Sequence, residues 1–85
     1  MINENFLEEN EVVVFENPSY KKALIGVYED NNCIYHAVYD YDKMIECLME
    51  EDNISEEDAI DFISYNTIRS LPYIDNAPII INILI

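Results

Sequence analysis

The hydrophobic periodicity of this chain changes at Asp40, and that change restricts the folds it can adopt. Before Asp40, β-branched and aromatic residues form short runs, and residues 23–28 and 33–39 flank four polar residues suited to a turn, which predicts a β-hairpin. After Asp40, apolar residues recur at helical spacing, at Tyr41, Met44, Ile45, Leu48 and Met49. A hairpin followed by an amphipathic helix predicts an α+β domain.

Three further elements follow from local patterns. Residues 12–15 form a short β-branched run that predicts a first strand. Ser55 is followed by three acids, as in a capping box, so a second helix begins there; it must end before Leu71 because Pro72 disfavours helical geometry in the preceding residue. Residues 79–85 are apolar on both faces and predict a strand near the centre of the sheet. The predicted order is β-β-β-α-α-β, with a small, mainly antiparallel sheet packed against two acidic amphipathic helices.

Length and composition set the class of protein. The 85 residues, 51% of them apolar, are enough for one domain over 1–85, with residues 1–11 as a loosely ordered arm or a short helical turn. The first residues lack the basic and apolar regions of a signal peptide, and the longest apolar stretch is too short to span a bilayer. We therefore expect a cytoplasmic protein, with Cys33 and Cys47 reduced.

The charge of the chain is strongly one-sided. It has 18 Asp and Glu against 4 Lys and Arg, a formal net charge of -14, and ten of the acids fall within residues 40–61. Such charge repels itself in a small domain, so we expect a basic protein surface as partner. Direct binding of nucleic acid or of an anionic membrane is not expected, because both rely on Lys and Arg.

Five acids on the two predicted helices are the first candidates for partner binding. Asp42, Glu46 and Glu50 are four residues apart, which places carboxylates in steps of about 6 Å along the helix axis and resembles the phosphate spacing of a nucleic-acid strand. Glu57 and Asp61 extend the pattern on the second helix. The alternative is that these acids only solvate the outer faces of two amphipathic helices.

Two apolar residues share the acidic side of the second helix. A helical wheel places Tyr65 and Ile68 with Asp61, away from the apolar side that carries Asn66. Large apolar residues within a polar rim often supply most of the energy of an interface, so Tyr65 and Ile68 are candidate anchors. In the alternative interpretation, residues 1–11 or 72–78 cover them. Asn66 is expected to be buried and hydrogen-bonded to the backbone.

Candidate metal and catalytic residues do not form a convincing site. Cys33, His36 and Cys47 offer three zinc ligands where a structural site needs four, and Cys33 and His36 would point to opposite faces of a strand. The same geometry argues against a Cys-His nucleophile pair. Asp40 and Asp42 suggest a calcium loop, but Ile45 stands where such a loop needs Gly, so a helix N-cap is the better interpretation. We expect no metal, no cofactor and no enzymatic activity.

Several stretches of the chain resemble an uncharacterised family of short acidic proteins of bacteria, prophages and mobile elements. The resemblance covers most of residues 14–81, departs from the family pattern between residues 31 and 37, and is carried by NPSY, VYDYDKM, EEDAI, YNTIRSLPY and APII. The resemblance implies that the gene lies among genes of bacteria, prophages or mobile elements. It does not identify any catalytic residue.

Short acidic proteins of phages often inhibit host defence, and anti-CRISPR proteins are one such class. By that analogy we predict an anti-CRISPR-like inhibitor that binds a basic surface of a host nucleic-acid-binding protein, such as a CRISPR effector, in the bacterial cytoplasm. One alternative is an antitoxin-like neutraliser of a basic partner. Another is an accessory protein that self-associates through its final strand, so that monomer and homodimer both remain open.

Overall fold

The chain folds into a small sheet with helices before it and between its second and third strands. A computed structural model describes residues 4–84. The α+β class is confirmed, but the order is α-β-β-α-α-β, because no strand precedes the hairpin in the described residues. The regular elements are α1 (Glu4–Glu9), β1 (Leu24–Glu29), β2 (Tyr35–Asp40), α2 (Tyr41–Glu51), α3 (Glu56–Phe62) and β3 (Ile79–Ile81).

The sheet is mixed, with the strands in the order β1-β2-β3. The predicted hairpin is confirmed: β1 and β2 are antiparallel, with Val27 opposite Ala37. β3 lies at the edge and pairs parallel to β2, from Val38 opposite Ile79 to Asp40 opposite Ile81. The longer of the two pairings is thus antiparallel, as expected, but the expectation that the last strand lies at the centre of the sheet is wrong. The helices between β2 and β3 form the crossover connection that parallel pairing requires.

The last predicted strand is also shorter than expected. It covers Ile79–Ile81, whereas residues 82–84 are exposed and outside the sheet, and Ile85 lies outside the described residues. Of the two expectations for residues 1–11, a loose arm or a short helical turn, the structure shows the helical one, as α1. Residues 1–3 lie outside the described residues.

The predicted first strand, residues 12–15, is an irregular segment that covers the core. Val12 is buried, and the Phe15 ring packs against Tyr20 and Tyr39, with centroid distances of 5.6 and 4.8 Å. The Phe15 amide donates to the Tyr39 hydroxyl at 3.1 Å. A side chain therefore satisfies this backbone group, and the β-branched run is buried without joining the sheet.

α2 begins where the periodicity changes. The Asp40 carboxylate accepts a hydrogen bond from the Lys43 amide at 3.3 Å, which confirms the predicted N-cap. The buried side of α2 is rotated relative to the predicted stripe, since Cys47 is buried and Met49 is 36% exposed. The core that it joins contains residues of β2 and α3, with Leu24 of β1 packed against it. Its largest fully buried side chains are Tyr20, Tyr39, Met44, Leu48 and Ile63.

Backbone geometry changes within the second helical region. After α3, the chain continues as a π turn, Ile63–Thr67, and a 3₁₀ segment, Ile68–Tyr73, that contains Pro72. The α-helix ends at Phe62, before Leu71 as predicted, but the 3₁₀ segment continues the helical run past Pro72 to Tyr73. The wider π turn keeps Thr67 buried and leaves Asn66 exposed, contrary to expectation, although the Asn66 side chain does donate to the Phe62 carbonyl at 3.2 Å.

A buried hydrogen bond connects the π turn to the segment before the hairpin. The Tyr20 hydroxyl lies 2.7 Å from the Thr67 hydroxyl, and both residues are buried. We expect Tyr20→Phe to lower the free energy of unfolding by about 1–3 kcal/mol, because it leaves the Thr67 hydroxyl without this partner. Urea denaturation of Tyr20→Phe, Thr67→Val and the double variant measures the coupling. Strictly additive losses would contradict a direct bond.

Candidate protein-binding surface

α2 carries a row of three carboxylates on its outer side. Asp42, Glu46 and Glu50 are exposed, and their spacing of four residues places them on one side of the helix. The other side holds Met44 and Leu48, which have no exposed surface. Packing of those two side chains keeps the carboxylates directed to solvent.

Two lysines lie beside this row. Lys22, from the segment before β1, places its Nζ 3.4 Å from Oε2 of Glu50, and both side chains are more than 60% exposed. Lys22 and Lys43 also line a small groove with Glu46 and Glu50. An ion pair this exposed contributes about 0–1 kcal/mol, so a partner cation can replace Lys22 at little cost. Near Glu46 and Glu50, the two lysines make the local charge less negative than the number of acids in residues 40–61 implies.

α3 presents two further acids on the neighbouring helix. Its start at Ser55 is confirmed, because the Ser55 hydroxyl accepts from the Asp58 amide at 3.1 Å. Glu57 and Asp61 are exposed, four residues apart, while Ala59 packs inward. We call Asp42, Glu46, Glu50, Glu57 and Asp61 the acidic face. Within residues 4–84, Glu50 is the only one of the five in an ion pair.

Tyr65 and Ile68 follow the acidic face along the same helical run. Tyr65 is 66% exposed and Ile68 is 40% exposed. Tyr65 is thus largely uncovered and Ile68 partly so, and the alternative in which both are covered does not hold for the described residues. Apolar side chains grouped on an exposed surface often mark a protein-binding site, which makes them candidate contact residues.

Sequence reasoning missed Arg69 and Tyr73. The Arg69 guanidinium carbon lies 6.0 Å from the centroid of the Tyr65 ring, a cation–π distance, and Arg69 has no ion pair within residues 4–84. Tyr73 ends the helical run and is 89% exposed. The four-residue spacing of Tyr65 and Arg69 was a readable signal. We call Tyr65, Ile68, Arg69 and Tyr73 the aromatic row.

The structure does not bring the candidate metal and nucleophile residues together. Cys33 is exposed in the turn before β2, and Cys47 is buried in α2, where burial raises the pKa of its thiol. Both ring nitrogens of His36 are engaged, by Asp30 at 2.7 Å and by the Ala77 carbonyl at 3.0 Å. Among the residues that the structure describes, no three His, Cys, Asp or Glu side chains are placed to hold a metal ion.

Comparisons with models of protein families, with curated proteins and with solved structures found no match for this chain. The resemblance to prophage proteins therefore stays a prediction from the sequence. No helix within residues 4–84 is long and apolar enough to cross a lipid bilayer. The acidic face and the aromatic row are thus the surface features from which a function is inferred.

Proposed function

We propose that this protein binds and inhibits a host protein that handles nucleic acid, in the manner of an anti-CRISPR protein. The acidic face would occupy a groove lined with Lys and Arg that otherwise holds nucleic acid, and the aromatic row would pack beside it. In this proposal the complex forms in the bacterial cytoplasm, where such defence systems act.

The observation that carries the proposal is the adjacency of the two surfaces along one helical run. Glu57 and Asp61 are exposed on α3, and Tyr65 follows one turn later without a covering segment. Exposed acids attract a basic groove and speed association, whereas desolvated aromatic and arginine side chains supply much of the binding energy. Solvation of the outer helix faces accounts for the acids alone, whereas the proposal also gives a role to the exposed Tyr65, Ile68 and Tyr73.

The proposal is tested by affinity capture from bacterial lysate. Tagged protein is mixed with lysate at low salt, eluted in steps of rising salt and analysed by mass spectrometry, and an unrelated bait of similar net charge serves as control. A nucleic-acid-binding protein that is held only by the tagged chain, and displaced by its own nucleic acid, supports the proposal. Capture of a toxin, or of proteins that the control bait holds equally, contradicts it.

Truncation of the aromatic row is expected to weaken the captured complex. Tyr65→Ala should lower affinity by at least about thirtyfold, because removal of a central aromatic anchor costs about 2 kcal/mol or more. Leu84→Ala is the matched control, since Leu84 is 88% exposed but lies after β3. Calorimetric titration of the purified partner measures both. Equal losses for the two variants would remove Tyr65 from the proposed surface.

Self-association is a second candidate, favoured by the position of β3. β3 lies at the edge of the sheet and is followed by Ile83 and Leu84, which are 49% and 88% exposed. An apolar edge strand can pair with the same strand of another copy. Light scattering at high salt, where charge repulsion is screened, would then show a dimer.

A further inference from the structure

The ring of His36 lies between two hydrogen-bond acceptors. Nε2 is 2.7 Å from Oδ2 of Asp30, and Nδ1 is 3.0 Å from the carbonyl oxygen of Ala77. A carboxylate and a carbonyl oxygen can only accept, so both ring nitrogens must donate. A neutral imidazole has one N–H and the imidazolium has two. With Asp30 ionised, both contacts are satisfied only when His36 is charged.

The partner carboxylate is held as an anion. Oδ1 of Asp30 accepts from the amides of Asn32 at 2.8 Å and Ile34 at 3.1 Å, while Oδ2 faces His36. The hydrogen bond from His36, and then the amide bonds, lower the pKa of Asp30. The same contact with Asp30, and then the Ala77 carbonyl, raise the pKa of His36. The two side chains are only 16% and 26% exposed, which limits screening by solvent.

The surroundings of His36 contain few other titratable groups. From β1, the Tyr28 ring lies with its centroid 6.3 Å from that of His36. The loop before β3 contributes the Ala77 carbonyl and the Asn76 backbone. The loop also carries Asp75, which is exposed. Among the described residues, Asp30 is the charged group in contact with the ring.

The contact joins two parts of the sheet that are remote in sequence. Asp30 belongs to the hairpin turn, whereas Ala77 lies two residues before β3, with the buried Pro78 between them. β3 pairs with β2 over only three residues. We infer that protonated His36 clamps the loop before β3 to the hairpin, and that loss of its proton releases β3 and opens the edge of β2.

A neutral ring cannot keep both contacts. If Nε2 retains its proton for the anionic Asp30, the lone pair of Nδ1 faces the Ala77 oxygen and the loop is repelled. Since folding raises the pKa of His36, the clamp stabilises the fold fully below the usual histidine value of about 6.5 and is lost as the pH rises through the raised value. Since the pKa of Asp30 is lowered, the clamp is also lost in acid, as the pH falls through that lowered value.

Nitrogen NMR of the intact protein tests this inference directly. The chain has one histidine, so the ring signals are unambiguous. At pH 6 both ring nitrogens should carry protons, and the titration midpoint should lie above about 6.5. Hydrogen-exchange protection of the β3 amides should fall between about pH 6.5 and that midpoint, in total by the ratio of the His36 acid dissociation constants in the released and clamped states. Protection of the Leu48 amide, which reports global unfolding, can fall by no more than the same factor.

A variant separates the clamp from general loosening. Asp30→Asn keeps an oxygen for the Asn32 and Ile34 amides but removes the charge, so the His36 midpoint should move down towards about 6.5 and β3 protection should no longer follow the titration. A single neutral tautomer at pH 6 would overturn the inference. So would β3 protection in the wild-type protein that does not change as the ring titrates.

Discussion

Lysine at positions 46, 50 and 61 should greatly weaken binding of the proposed partner and leave the fold intact. Each of Glu46→Lys, Glu50→Lys and Asp61→Lys turns an attraction to a basic groove into a repulsion. At about 1 kcal/mol for each exposed pair, the three together should weaken affinity by a hundredfold or more. Calorimetric titration of the captured partner with the triple variant measures this.

The matched control changes the same number of charges on other elements. Glu8→Lys, Glu9→Lys and Glu16→Lys alter exposed residues of α1 and of the segment after it, and both triple variants have a formal net charge of -8 instead of -14. By thermal unfolding, the control variant should be at least as stable as the wild type because self-repulsion falls, whereas the first variant should lose about 0–1 kcal/mol because it breaks the Lys22–Glu50 ion pair. Equal loss of binding in both would show that total charge, rather than the acidic face, governs recognition.

Leu48→Ala should have the largest effect on stability. Leu48 lies on the inner side of α2, the helix that carries Glu46 and Glu50, and has no exposed surface. Truncation of a buried leucine costs about 2–5 kcal/mol, because it removes contacts and leaves a cavity. A chain of 85 residues has little stability in reserve, so a large unfolded fraction is expected at 37 °C. Circular dichroism in urea gives the change, with Met49→Ala on the exposed flank of α2 as control.

A loss below about 0.5 kcal/mol for Leu48→Ala would mean that α2 does not form the core. Together the variants of α2 separate two roles of one helix. Changes on the inner side should act on folding, and changes at Glu46 and Glu50 should act on binding.

Local sequence patterns correctly predicted those elements that are stabilised by contacts between residues close in sequence. Asp40 and Ser55 cap their helices through bonds to residues three positions on, and the hairpin forms between neighbouring runs. Residues 12–15 have the composition of a strand. However, the Phe15 amide donates to the Tyr39 hydroxyl, which lies 24 residues later in the sequence. The parallel direction of β3 likewise depends on the path of the whole chain between the strands. No local pattern contains that information.

For the candidate surface as well, the sequence predicted some features and missed others. Helical spacing correctly predicted that Tyr65 and Ile68 are exposed, whereas it placed Asn66 on the buried side and the structure leaves Asn66 exposed. The proximity of Lys22 to Glu50 and the clamp at His36 depend on tertiary packing. The odd spacing of Cys33 and His36 argued against a shared site for the wrong reason, since Cys33 lies outside the strand.

The salt dependence of partner binding, measured with and without the partner's nucleic acid, tests the central claim most directly. If the acidic face occupies a nucleic-acid groove, affinity should fall steeply between about 50 and 500 mM NaCl, as screening shortens the reach of charge, and nucleic acid should compete for the site. Affinity that is unchanged over that range, with nucleic acid and this protein bound to the partner at the same time, would contradict the account.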